Sequence, residues 1–412
     1  MDSRLPFAEI SSTGFRAHRG PARGSAAPPV SMSENSCSVS DDAAFHRTWV
    51  ELDAAALRHN AAVARDLAGP QGGVIAVVKA DAYGLGVSSV VPELAAAGVN
   101  AFAVATLDEA RQVQALGGNR PIYLLSPALP SERAAIVAAD FTVIPAVSSH
   151  DEAVQFSQLA VAARTMLPVH LVLDTGMGRI GLKSRIAEHM LADARPLADL
   201  PGLRLDSVAS HFPSADEDPA FTEEQWRHYR SLLEHLAQQG MATPHHHVAN
   251  SAGTLTLPRT GREWVRTGLM LYGVSPVPPK QSLLREVVTW NTRVILVRTL
   301  PAEHGVSYGR TFVTDRPTRV ATLAVGYADG YPRHLSGQGA WVWLGGQRCP
   351  ILGRITMDQI MVEAPDHVQP GDPATLLGGH GPAATELATR AHTIPYEIFC
   401  GLGRRVARLV RH

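Results

Sequence analysis

Cysteine is scarce in this 412-residue chain. Only Cys37, Cys349 and Cys400 occur. Three widely spaced thiols make neither a disulfide framework nor a zinc-ligand pattern, and they are read as reduced thiols of a cytoplasmic protein. Charge of one sign is also lacking: the net charge is -1. A nucleic-acid binder or an anionic-membrane binder would carry a basic excess, so neither partner is expected. No apolar run approaches the ~20 residues of a membrane helix. Residues 1–45 lack hydrophobic periodicity altogether and are rich in Ser, Pro, Gly and Arg. They are expected to form a disordered arm. The arm has no apolar stretch of the ~7–15 residues a secretory signal needs. Asp2, Glu9, Glu34, Asp41 and Asp42 argue against a transit peptide, and Met32 stands beside Met1 as a second candidate start.

What is present is a normal globular balance, with 45% hydrophobic and 18% charged residues. The length suits two domains. From Trp49 onward, short apolar runs alternate with amphipathic, capped stretches. The first helix should begin at Asp53, whose carboxylate can cap free amides, with Leu52 and Leu57 placed for a hydrophobic staple. Strands are expected at Val74–Lys79, Ala101–Ala105, Pro121–Ser126, Phe141–Pro145, Pro168–Asp174, Arg204–His211, Pro244–Asn250 and Glu263–Leu269. Thr106 to Glu109 and Thr222 to Gln225 read as capping boxes, with helix stops near Gly117 and Gly240. Eight strand–helix units over roughly 220 residues suit a closed (β/α)8 barrel, assigned to residues 46–280. An open doubly wound sheet shows the same alternation and remains the alternative. After Pro279 the pattern turns to β runs separated by Gly and Pro, with Gly345-Gly346 as a tight hairpin. Residues 281–412 are therefore assigned to a second, mainly β domain.

Barrels of this kind keep their active sites at the C-terminal strand ends. The first strand runs into Lys79. A lysine after five apolar residues is partly desolvated, which favours its neutral amine and so a Schiff base. On spacing alone, a solvated lysine just past a strand end is the more ordinary reading. The loops after strands seven and eight carry Asn250-Ser251-Ala-Gly253 and Arg266-Thr-Gly268, small residues of the sort that hold phosphate there. Together with Lys79 they point to a phosphate-bearing aldehyde cofactor. Strand five ends in Asp174-Thr-Gly-Met-Gly-Arg179, a loop able to aim a guanidinium at a carboxylate. His211, after strand six, could link Arg266 to a base. The run His245-His246-His247 has no nearby Cys or acidic ligand and is not read as a metal site.

These segments resemble the motifs of the alanine racemase family. The resemblance is carried by Val74–Gly86, Asp174–Gly181, Ser210–Phe212, Ala249–Gly253 and Arg266–Gly273. It continues through Val306–Phe312, Val325–Arg333 and Gly353–Gln359, in the same order, from Trp49 to the C-terminus. It implies a pyridoxal 5'-phosphate (PLP) enzyme that interconverts L- and D-alanine as a homodimer with shared active sites. Lys79 would hold the cofactor and act as one base, and Tyr308 of the other subunit would be the second. Tyr83, His211, Ser251, Arg266 and Gly268 would contact the cofactor, while Arg179 and the other subunit's Met357 would meet the amino-acid substrate. A phenol of ordinary pKa ~10 needs cationic neighbours to work near neutrality, and His211 coupled to Arg266 is expected to supply them.

Three departures from the family pattern stand out. Val172 replaces a lysine that is commonly carbamylated and orients the arginine. Arg404 stands where some members have a tyrosine, and Thr267 where proline is usual. Val172 keeps a serine or broad-specificity racemase in view. A PLP-dependent decarboxylase would want an acid, not Arg266, at the pyridine nitrogen. A non-enzymatic PLP carrier would lack the second domain.

Overall fold

The computed structural model describes residues 43–183, 187–257 and 263–412. The arm expected over residues 1–45 lies outside them except for its last three residues. Eight parallel strands close on themselves: β2 (Gly73–Val77), β3 (Ala101–Val104), β4 (Ile122–Pro127), β5 (Val143–Val147), β6 (Leu167–Asp174), β8 (Leu203–Ala209), β9 (His245–His247) and β10 (Trp264–Thr267). β5 pairs with β6 and β10 returns to β2, so the sheet is a barrel and the open alternative falls. A two-residue strand, β7 (Leu182–Lys183), lies beside the end of β6. The sequence reason for closure is visible in β2, β3 and β5, which are buried along their whole length. Such strands need cover on both sides, which a barrel inside a ring of helices supplies.

Local signals set the helix starts. The Asp53 carboxylate accepts from the Ala56 amide at 2.7 Å and opens the helix Ala54–Ala68. Thr106 and Glu109 form the expected capping box of Leu107–Gly117. The second expected box needs correction. The helix Pro219–Gln238 starts earlier, capped by Asp218 with Pro219 in its first turn. Thr222 is inside it, and its hydroxyl donates to the Asp218 carbonyl at 2.8 Å. An Asp-Pro pair satisfies the free amides one turn before Thr222 can.

The second sheet is built on the 13-residue strand β11 (Val288–Leu300). A loop between β12 (Gly305–Val306) and β13 (Phe312–Val313) follows it. Then come β14 (Thr318–Leu323), β15 (Trp341–Leu344), β16 (Gln347–Pro350), β17 (Ile360–Glu363), β18 (Pro373–Leu377) and β19 (Ala407–Arg411). β15 and β16 form the hairpin, with Gly345 and Gly346 at φ 57° and 80° as its two turn residues. The placing of β1 (Thr48–Asp53) was not foreseen. It precedes the barrel in sequence but joins this sheet, antiparallel to β11 and parallel to β19. A single hydrophobic cluster runs through both layers, from Ile75 and Phe102 of the barrel to Trp290 and Leu376 of the sheet.

Candidate active site

A cavity of about 650 Å3 opens at the C-terminal ends of the barrel strands. Lys79, Tyr83, Arg179, His211, Ser251, Arg266 and Gly268 all line it. Tyr308 and Met357 do not; they are 72% and 52% exposed, away from it. Thus one chain brings together seven of the nine expected residues and leaves two facing outward.

Lys79 begins a turn of unusual hand. Ala80, Asp81, Ala82 and Tyr83 take φ values of 53–59°, and Gly84 continues at 78°. Four consecutive non-glycine residues in left-handed geometry are costly, so neighbours must hold them. The Glu109 carboxylate does so from one side. It accepts from the Ala80 amide at 2.7 Å as well as from Ala105 at 2.8 Å. Asp81 accepts from the Val87 amide at 2.8 Å. From the other domain, Arg408 donates to the Gly84 carbonyl at 2.7 Å and to Leu402 at 3.0 Å. This geometry puts both Lys79 and Tyr83 into the cavity. Burial lowers the Lys79 pKa, the positive charges of Arg179 and Arg266 lower it further, and Glu109 and Cys400 oppose them. The direction favours the neutral, nucleophilic amine.

Tyr83 stays protonated, since burial raises its pKa, with Tyr396 and Cys400 adding to the effect. Its hydroxyl lies so close to the Gly268 α-carbon that a Cβ there would collide with it. Ser251 ties the opposite wall together. Its Oγ accepts from the amides of Gly268 at 3.2 Å and Met270 at 3.3 Å. Asn250 caps the short helix Ser251–Thr256. A hydroxyl donor, a serine and a glycine with no room for a side chain form a polar cup suited to a phosphate.

Arg266 is buried, and its hydrogen bonds go to two imidazoles and two carbonyls. It meets His247 Nδ1 at 2.6 Å, His211 Nδ1 at 2.6 Å, the Ser210 carbonyl at 2.9 Å and the His247 carbonyl at 3.5 Å. Burial brings its pKa down to about 10, so it is still a cation at neutral pH. Arginine only donates, so both imidazoles accept at Nδ1 and carry their proton on Nε2. His211 is pushed well below its ordinary value by burial and then by the charges of Arg266, Arg179 and Lys79. The expectation that His211 adds positive charge is therefore corrected. Arg266 is the cation and His211 is its neutral, polarised partner.

Arg179 sits on a loop shaped by Asp174, which accepts from the amides of Gly176 and Gly178 at 3.0 Å each. The guanidinium makes no ion pair or hydrogen bond among the described residues. Val172 packs with Ala146 and Ala209, against Ile180, where a lysine could have stood.

Three participants were missed in the sequence. His247 was seen only as part of a histidine run, although alternation along β9 already put it on one face with His245. Glu109 was recognised as a cap but not as the anchor of Ala80. Arg408 has no local signal at all, because its carbonyl partner at Gly84 is 324 residues away.

On the outward side, the Ser307 hydroxyl donates to the Arg354 carbonyl at 2.5 Å. Arg405 donates to Asp329 at 3.0 Å and to Asp358 at 2.8 Å. The first bond ties the Tyr308 loop to the stretch that carries Met357, and Arg405 ties that stretch to Asp329 and the C-terminal segment.

Residues 52–276 match the family model described as alanine racemase, N-terminal domain, and residues 287–410 that of alanine racemase, C-terminal domain. The alanine racemase of Halothermothrix orenii is 39% identical over 370 residues, 88% of this chain and 96% of its own. That of Syntrophobacter fumaroxidans is 39% identical over 366 residues, 87% and 96%. Among solved structures, alanine racemase from D-cycloserine-producing Streptomyces lavendulae superimposes with a TM-score of 0.81 and 35% identity, covering 89% of this chain and 97% of that one. Alanine racemase from Bartonella henselae, solved with covalently bound pyridoxal phosphate, gives 0.79 and 30%, covering 89% and 99%.

Proposed function

This chain belongs to the alanine racemase family, and from that premise we propose that Lys79 and Tyr308 are the two bases with which it inverts alanine. The enzyme is a PLP-dependent racemase that interconverts L- and D-alanine. The observation that carries the residue assignment is the placing of Lys79, on a buried turn, in one cavity with Arg266 and the polar cup at Gly268. The cup fits the cofactor's phosphate because the space beside Gly268 is closed to a side chain but bordered by the Tyr83 hydroxyl and Ser251. Bound there, PLP supplies a sink for the electron pair left on the α-carbon when its proton departs.

The remaining roles fall to the chain's own groups. Lys79, favoured as a neutral amine, holds the cofactor aldehyde and moves the proton on one face of the α-carbon. Tyr83 and Ser251 hold the phosphate beside Gly268. Arg266 would face the pyridine nitrogen, and as a donor that does not readily give up its proton it leaves that nitrogen unprotonated, which suits racemisation over transamination. Tyr308 of a second copy moves the proton on the opposite face, as inversion requires. The Nε2–H of His211, polarised through Arg266, gives its phenolate a donor. Arg179 receives the substrate carboxylate, and Met357 of the second copy closes over the substrate. The outward exposure of Tyr308 and Met357 supports a homodimer with shared sites, and the free thiols Cys349 and Cys400 fit a cytoplasmic one. Among the described residues no helix is long and apolar enough to cross a membrane.

A second reading, a serine or broad-specificity racemase, draws on Val172 and on Arg179, which has no ion pair or hydrogen bond among the described residues. One experiment decides both points. Purified protein with PLP is incubated with a panel of single L-amino acids and the products are resolved on a chiral column. D-Alanine should accumulate fastest, and borohydride should fix the cofactor on Lys79. Faster turnover of serine would overturn the substrate assignment, and an adduct on another lysine would overturn the site.

A further inference from the structure

Arg266 carries a charge inside the barrel, yet among the described residues its hydrogen bonds go only to neutral groups. A buried guanidinium so placed needs its charge balanced from further away. A path through the barrel interior leads from it toward a carboxylate. His247 accepts from Arg266 at Nδ1, so its proton is on Nε2, which lies 3.5 Å from Ser207 Oγ. Ser207 also lies near the Tyr123 phenol. Tyr123 donates to Asp206 Oδ2 at 2.8 Å. The guanidinium donates to the His247 imidazole and the Tyr123 phenol to a carboxylate, and the two pairs meet where the phenol ring packs on His247. The phenol is buried, and its ring packs edge-on against His247 with centroids 5.2 Å apart. Asp206 is buried too, with Arg204 at 3.6 Å on its outer side.

A break in the strand makes the path possible. Along β8, Leu205 pairs with Val169 but Ser207 pairs with His170, so Asp206 is an extra residue. A regular strand sends residues 206 and 207 to opposite faces. The bulge lets both reach the same phenol, a re-aiming that such bulges commonly provide near active sites.

We propose that Asp206 is a positioning residue of the racemase, which orients Arg266 through Tyr123 and His247. This rests on the reading of Arg266 as the group that faces the cofactor. Asp206 touches neither substrate nor cofactor. Its effect is exerted on the direction of the guanidinium.

The test uses full-length Tyr123→Phe, Asp206→Asn and the double variant, with kcat, KM and histidine nitrogen NMR. Each single variant should lower kcat about fivefold with little change in KM. The double variant should lose no more than the worse single, because one path is cut twice. His247 should give the neutral Nε2–H pattern in the unmodified chain, with and without PLP, and its Nε2 resonance should move in both variants. Tyr123→Phe removes one oxygen and keeps the ring, so it carries the test if Asp206→Asn does not fold. Unchanged kcat and an unmoved His247 resonance, with only a lower melting temperature, would overturn the proposal, as would additive losses. The nitrogen spectrum of the PLP-free chain does not depend on where the cofactor binds, so failure of the cofactor assignment would show separately, as a mislocated Lys79 adduct.

Discussion

Val172 shows how much one side chain can change the support of an active site. It packs in an apolar group with Ala146 and Ala209 and lines the cavity beside Arg179. Valine has no amine to react with CO2 and no charge to hold a guanidinium. The substrate carboxylate would then be the first anion that Arg179 meets, and its binding must also order the arginine. The unmodified enzyme should keep full activity in CO2-depleted buffer, with or without added bicarbonate. Val172→Lys should lower KM for alanine about fivefold, the scale of one charge-assisted contact, and only when bicarbonate is present. Parallel assays of both proteins measure this. A bicarbonate requirement in the unmodified enzyme would mean that another lysine serves, and Lys183, paired with Asp174 across β6 and β7, would be the first to examine.

At the level of elements, the left-handed turn after β2 is the part under strain. Each of its four non-glycine residues costs about 1–2 kcal/mol in that geometry. The turn persists because Glu109 holds its first amide and Arg408 of β19 holds its last carbonyl, while Asp81 reaches Val87. Arg408 also donates to Gly403 at 2.7 Å and Leu402 at 3.0 Å, so one guanidinium ties the cofactor turn to the C-terminal segment. Arg408→Ala should release Gly84 and let Lys79 and Tyr83 drift. The expected outcome is PLP retention weakened about tenfold, with a lower melting temperature, since loss of a charged donor to buried carbonyls costs about 1–3 kcal/mol. Equilibrium dialysis against PLP measures the first effect and calorimetry the second. Unchanged retention would show that Glu109 and Asp81 hold the turn without help.

For the whole molecule the decisive feature is an incomplete cavity beside an outward-facing base. Tyr308 and Met357 stand exposed on loops joined through Ser307 and Arg354, away from the cavity that holds Lys79. If two chains complete each other, Lys79→Ala and Tyr308→Phe should each be inactive alone. Mixed and exchanged in equal amounts, they should recover about one quarter of normal activity: half the dimers are mixed, and each of these has one intact site of two. Activity after exchange, followed beside a tagged-subunit assay for mixing, measures this. No recovery despite proven exchange would place both bases in one chain.

Sequence by itself determined what depends on local pattern and on residue chemistry. Strand-length apolar runs between capped helices determined the β/α alternation, because a strand buried on both faces must read that way, while closure into a barrel was decided by the pairing of β5 with β6 and β10 with β2. The capping box at Thr106 and the Gly345-Gly346 hairpin were legible because their partners lie within a few residues. So was the placing of Lys79, Arg179 and His211, because residues at the ends of barrel strands must converge. Only the tertiary structure decided the rest. β1 could not be assigned to the second sheet from sequence, since its partners β11 and β19 lie more than 200 residues on, and nothing local encodes a register at that distance. The charge of His211 was misread for a similar reason. Its protonation is set by burial and by a cation 55 residues away in the chain but 2.6 Å away in space. The bulge that brings Asp206 and Ser207 to one phenol exists only in the pairing of β6 with β8. Periodicity reports which way a side chain points in a regular strand. Where the strand departs from regularity, as it does beneath this site, the fold decides.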